Sequence, residues 1–218
     1  MKQRVKFDDM ELRQTHTLAT LACVAAGAIW GLYWIPLRAL ANFGISPLWA
    51  TAIFYLIPFL IFLPIIILRW RSMLRWGWRV QGIAIPAGLA VILYSNAFHY
   101  TDVLRAILLF YLTPIWSALL ARVWLKEKIT PNHIVAISLG ILGLLVILGT
   151  DQGFPSPRNG GDWMALASGV AWAVTANVMR RGPNPDAIDI VFFWLFWSAL
   201  LAALMTILPI FGAQKVPL

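Results

Sequence analysis

A chain of 218 residues that is 61% hydrophobic and only 12% charged is no ordinary soluble domain, where about a quarter of the residues carry charge. Its net charge of +8 would suit nucleic acid if it were clustered on one folded surface, but the basic residues lie in short segments between long apolar blocks. That distribution makes the charge a topology signal, with a lipid bilayer and no nucleic acid as partner.

Taken in chain order, seven blocks carry no Asp, Glu, Lys or Arg: residues 14–37, 39–68, 80–101, 106–121, 129–150, 163–179 and 190–214. A helix rises about 1.5 Å per residue and the hydrocarbon core is about 30 Å thick, so about 20 apolar residues cross it. The blocks predict seven transmembrane helices in an all-α, polytopic membrane protein. The first follows a basic N-terminus but shows no small-residue cleavage site, so it is expected to be a retained helix rather than a signal peptide. It holds the single cysteine, Cys23, so no internal disulfide can form.

The end of the first block reads GAIWGLYWIPLR, residues 27–38. On a helix, Trp30, Trp34 and Arg38 fall at i, i+4 and i+8 and share one face. Gly27 and Gly31 form a GxxxG for close packing, Pro36 is expected to bend the helix end, and Arg38 to stop it at the outer interface. The third block runs into YSNAFHYTD, residues 94–102, where Asn96 and His99 share a face. Asp102 and Arg105 follow, close enough to pair at an outer lip. Between Arg105 and Arg122 only a short block remains, so its arginines are expected to snorkel; Tyr111, Pro114 and Trp116 lie within it. Pro58, Pro64, Pro86 and Pro114 all sit inside blocks, where proline bends a helix and frees a carbonyl. ITPNH at 129–133 offers Thr130 as N-cap and Pro131 as the first residue of the fifth helix. The turn-rich segment 149–163 divides a five-span block, residues 1–150, from a two-span remainder, residues 151–218.

Thirteen basic residues fall on the N-terminal side of this alternation and four (Arg38, Arg105, Arg158, Lys215) on the other. The positive-inside rule then places the N-terminus in the cytoplasm and the C-terminal residue outside.

A shift of 142 residues lays GAIWGLYWIPLR on GVAWAVTANVMR: Gly27 meets Gly169, Trp30 meets Trp172, Arg38 meets Arg180, and further on Phe54 meets Phe196. The shift equals the five-span block, and an odd number of spans inverts the second copy, a construction used by secondary transporters.

The GAIWG start, the segment LLFYLTPIWSALLARVWLKEKITPNHIVAISLGILGLLVIL (108–148) with Pro114, Glu127 and Gly140/Gly143, and GDWMALASGVAWAV (161–174) resemble the EamA-type drug/metabolite transporter superfamily. The resemblance implies an inverted-repeat bundle of ten helices in the cell (inner) membrane. Residues 1–150 would be the first repeat and 151–218 the start of an incomplete second. It further implies alternating access and a central cavity for a small organic solute, often an exported one. The three helices beyond the seven read here would come from another chain, or a homo-oligomer would complete the fold.

The substrate-binding candidates are the polar and aromatic residues inside spans, because lipid cannot satisfy their polar atoms. They are Trp30, Trp34, Asn96, His99, Tyr111, Trp116, Trp172 and Asn177; Asp102 and Arg105 are gating or lip candidates. Helix packing and interhelical hydrogen bonds are the competing roles for the same side chains, and Gly140/Gly143 is read as packing. A nearly acid-free, aromatic cavity with arginines at its lip suits a neutral, zwitterionic or anionic solute better than a bare cation. No HExxH, no GxSxG and no Cys–His set occurs, so neither catalysis nor a cofactor or metal is expected. The alternatives are an inert or partner-dependent fragment and, below it, an intramembrane enzyme.

Overall fold

The computed structural model describes residues 2–128, 130–148, 157–183 and 185–207. Every element among them is helical: α1 (Lys2–Gly31), α2 (Trp34–Asn42), α3 (Pro47–Tyr100), α4 (Val103–Phe110), α5 (Thr113–Leu120), a π-helical turn (Ala121–Leu125), α6 (Pro131–Leu148), α7 (Gly160–Arg180) and α8 (Ala187–Ile207). The chain divides into two units, Met1–Pro36 and Leu37–Leu218.

In the first unit α1 ends at Gly31 and a turn at Leu32–Tyr33 precedes Trp34. Pro36 sits in the first turn of α2, where its missing N–H has no intrahelical partner to lose. It therefore opens a new helix instead of bending the end of the old one. The turn also interrupts the helix on which Trp30 and Trp34 were expected to share a face. Trp30 stacks on Tyr33 across it, with ring centroids 5.3 Å apart and planes 17° from parallel.

The second unit is built on α3, whose 54 residues form two legs that meet at Gly77, with φ +42° and ψ −125°. That left-handed backbone is open to glycine and costly for other residues. The legs run antiparallel, because Thr51 donates to Asn96 Oδ1 (3.2 Å) and Tyr55 OH lies 3.1 Å from Ser95 Oγ. Each leg carries a span, Pro47–Ile65 and Arg75–Tyr100. Helices α7 and α8 pack on α3. Phe59 meets Phe192 and Phe196 at centroid distances of 5.7 and 5.8 Å. Gly88 lets α8 come close, since a Cβ there would lie 3.0 Å from Trp197 Cβ and 3.1 Å from Ser198 N.

The fourth span is broken. Helix α4 stops at Phe110 and α5 starts at Thr113, with Pro114 in its first turn. Pro114 has no N–H for the Phe110 carbonyl, and the Thr113 hydroxyl donates to that carbonyl instead. Helix α6 begins as its sequence predicts, with Pro131 first and the His133 N–H donating to Thr130 Oγ1 (3.4 Å).

Five helical stretches are long and apolar enough to cross a membrane: His16–Leu40, Pro47–Ile65, Arg75–Tyr100, Val103–Leu125 and Ala187–Ile207. The α6 residues Pro131–Gly143 form a shorter apolar helix, and α7 is 21 residues long but carries Asp162, Thr175 and Asn177 among its apolar side chains. The result is a polytopic membrane helix bundle. Residues 149–156 of the turn-rich segment and everything beyond Ile207, Lys215 included, lie outside the described residues.

Candidate functional site: a slot beside a broken helix

Contacts within the second unit gather its connections at two ends. At one, Arg69 pairs with Asp186 and Asp189, Arg79 donates to the Pro183 carbonyl (2.7 Å), and Arg181 donates to the Trp124 carbonyl (3.0 Å). Both Glu127 oxygens accept from Arg180 Nη2, at 2.5 and 2.8 Å. At the other end the α3–α4 turn meets the start of α7. Asp162, fully buried, accepts from Thr101 Oγ1 (2.7 Å), Arg105 Nε (2.6 Å) and the Arg158 N–H (2.9 Å).

That second cluster grows from helix-cap chemistry. Asn159 is the N-cap of α7 and its Oδ1 accepts from the Asp162 N–H (2.8 Å), the first half of a capping box. Its Nδ2 reaches Thr101 Oγ1 (3.3 Å), so the cap ties α7 to the α3–α4 turn. Gly161 makes this contact possible, because a Cβ there would lie 2.8 Å from the Tyr100 carbonyl carbon and 2.9 Å from Thr101 N. The carboxylate also sits in the first turn of a helix, where the macrodipole favours negative charge. Asp102, which spacing made the partner of Arg105, is exposed at the start of α4. The buried carboxylate on Arg105 comes from 57 residues away.

Between the broken span and α6 lies a cavity of about 660 Å³. One wall is α5 from Leu112 to the π-turn's Ala121, and the other is α6 from His133 to Gly143. Leu108 and Tyr111 close it at the break, and Glu127, Lys128 and Arg180 stand at the opposite end. The walls are mainly apolar, which matches the lining of small-molecule sites, as does the size. Gly140 and Gly143, read as a helix-packing pair, instead face this space: a Cβ at either would meet no heavy atom within 4 Å.

Of the eight substrate-binding candidates, Tyr111 lines the cavity. Asn177 lies one layer behind it, fully buried, donating to the carbonyl and hydroxyl of Ser117, a wall residue (3.2 and 3.1 Å). Its Oδ1 and the Trp116 indole N–H have no hydrogen-bond partner among the described residues. Asn96 serves a different place: it accepts from Thr51, donates to Ile92 O (3.0 Å) and approaches Met205 Sδ (3.5 Å), joining both α3 legs to α8. His99 is buried near it in sequence, and its Nε2 has no hydrogen-bond partner among the described residues. Trp172 is half-buried in α7, and Trp30 and Trp34 are half-buried in or next to the first unit's turn. The candidates are thus distributed over several interfaces rather than one pocket.

Sequence reading missed Asp162, Asn159 and Thr101. The Asn159-x-x-Asp162 spacing ahead of an apolar run was the available signal, since an N-cap followed three residues later by an acid marks a helix start. The Glu127–Arg180 pair had no such signal, because its partners belong to connections 53 residues apart.

No curated protein and no solved structure matches this chain significantly. A family model, that of the EamA-like transporter family, matches residues 17–149 and so takes in α2 to α6 whole and the second half of α1. With most of the chain inside that match, and a membrane helix bundle around it, the protein belongs to the EamA-like transporter family.

Proposed function

We propose that this chain exports a small organic solute across the cell's inner membrane by alternating access, with its N-terminus in the cytoplasm. The observation that carries this reading is a 660 Å³ apolar cavity in a unit whose two ends are unlike. The cavity runs out to exposed charges at Glu127, Lys128 and Arg180, whereas the opposite end of the unit, beyond the cavity's lining, is closed by the buried Asp162–Arg105 pair and backbone contact. A solute path needs one end that yields and one that holds, exchanged during the cycle. The broken fourth span supports the same role, since a discontinuous helix places backbone groups beside a cavity without exposing them to lipid. Helices α7 and α8 are read as the opening of the second, inverted repeat, on the strength of Gly169, Trp172 and Phe196 lying one repeat beyond Gly27, Trp30 and Phe54.

Reconstitution in liposomes tests the proposal. Counterflow of radiolabelled amino acids, organic acids and nucleosides should be saturable for at least one solute. The variants Ala118→Trp and Ile137→Trp, which fill the cavity, should abolish it at unchanged folded yield. Flux that never saturates, or saturable flux that survives both variants, would sink the reading.

A further inference from the structure

The cavity differs from end to end, and that difference carries information about its occupant. The α6 wall from His133 to Gly143 covers ten helical steps, about 15 Å, and the facing wall runs from the break at Tyr111 to Ala121. Over that length the walls supply mainly aliphatic side chains and two bare glycine backbones, with Tyr111 and Ser117 as their hydroxyl groups. The ionisable groups lie together at one end: Glu127, Lys128, Arg180 and, in the first turn of α6, His133. Glu127 is committed, both of its carboxylate oxygens accepting from Arg180. The cluster therefore carries one acid against two permanent cations, with an imidazole beside them.

Cations at this end follow from membrane insertion alone. Insertion does not explain why they border a long apolar slot, nor why the one acid there is neutralised by an arginine. A ligand lying in the slot would bury its apolar body along α5 and α6 and bring its head to Lys128 and the Arg180–Glu127 pair. A cationic head would meet an uncancelled positive charge, and an anionic head would complete the cluster.

We infer that this slot binds an amphipathic organic anion, an alkyl or aryl body carrying one carboxylate, phosphate or sulfonate group, with its charge against Lys128, Arg180 and His133. As a statement of the transported solute's class, this rests on the transporter reading above. The same chemistry is offered by two sources, a free organic acid and an anionic phospholipid whose chain enters beside α6, a helix that leans chiefly on α5.

The test uses the full chain in nanodiscs of zwitterionic phosphatidylcholine and three probes that share one body: 4-phenylbutyrate, 4-phenylbutanol and 4-phenylbutylammonium. Butyrate should bind saturably, about tenfold tighter than the alcohol, which is what one unit charge a few ångströms away is worth at a partly exposed site. The ammonium should bind weakest. Replacing Lys128→Gln together with His133→Gln should erase the butyrate advantage and leave alcohol binding as it was. Gly140→Leu, which fills open space with a better helix former, should remove all three. Ammonium binding equal to or tighter than butyrate overturns the inference, and so does butyrate binding unchanged by Gly140→Leu. Adding phosphatidylglycerol separates the sources: loss of butyrate binding assigns the slot to a lipid, and persistence assigns it to a soluble acid. Flux separates the two readings. Butyrate selectivity without saturable flux in liposomes overturns the transporter and keeps the anion slot. Saturable flux of a cation, with no butyrate preference, does the reverse.

Discussion

The two ends of the second unit both rest on acid–arginine pairs, yet they differ in kind. At the α3–α4 turn the Asp162 side chain is 0% exposed and Arg105 10%, with Thr101, Asn159 and the Arg158 backbone around them. At the opposite end Arg180 is 50% exposed and Glu127 42%. Breaking a buried pair by removing one partner costs about 3–5 kcal/mol, because a charge is left desolvated. An exposed pair is worth about 0–1 kcal/mol. The same chemistry therefore makes a seal where water is excluded and a readily exchanged contact where it is not. The cavity's charged residues belong to the exchangeable end, which is the arrangement a solute path requires.

The largest expected effect on this comparison is all-or-none. In a Cys23→Ser background, Arg75→Cys should react with an impermeant thiol reagent only from the cytoplasmic side and Arg158→Cys only from outside. Labelling of Arg75→Cys from outside alone would invert the assignment of the two ends.

Next in size is Asp162→Ala, which takes the carboxylate from Arg105 and Thr101. A loss of about 3–5 kcal/mol should appear as a large fall in the detergent-solubilised melting temperature; Glu127→Gln should cost no more than about 1 kcal/mol. Equal losses for the two would erase the distinction between seal and exchangeable contact.

A steric pair sharpens it further. Gly161→Ala forces a methyl to within 2.8 Å of backbone and should cost about 1–3 kcal/mol by overpacking. Gly140→Ala meets open space and should be neutral or stabilising by up to about 1 kcal/mol, through helix propensity. The same melting measurement on both variants decides, and a destabilising Gly140→Ala would show that α6 packs more tightly than this cavity allows. The smallest effect is expected for Asn159→Ala, about 1 kcal/mol for a lost N-cap, and a loss as large as that of Asp162→Ala would mean that the cap, not the ion pair, holds α7 in place.

Much of the bundle was legible in the residues because lipid enforces a local rule. A stretch of about 20 apolar residues has to satisfy its own backbone, and a helix is the only local way to do so. Helix starts were legible too, Thr130-Pro131 by capping chemistry. The break in the fourth span was half visible: Pro114 announced a freed carbonyl, but the Thr113 hydroxyl that takes it up belongs to the folded turn. The site was less legible. Trp116 and Asn177 were picked for their polarity in an apolar span, and both keep a buried polar atom with no partner among the described residues, beside or behind the α5 wall. Asn96, picked on the same grounds, instead knits α3 to α8, because polarity alone does not say which neighbour answers it.

The sequence by itself determined the helical class, the succession of apolar blocks and the membership of a transporter family. The helical class and the apolar blocks are set by hydrophobicity and length along the chain, properties that need no partner, while the family is carried by residue motifs. Only the tertiary structure decided that Arg105 answers to Asp162, that Arg180 neutralises Glu127, and that the Gly140/Gly143 lane faces a cavity rather than a helix. Those outcomes depend on which segments, 50 or more residues apart, are brought within a few ångströms. Short-range interactions fix the identity of such a contact only once packing has chosen the neighbours.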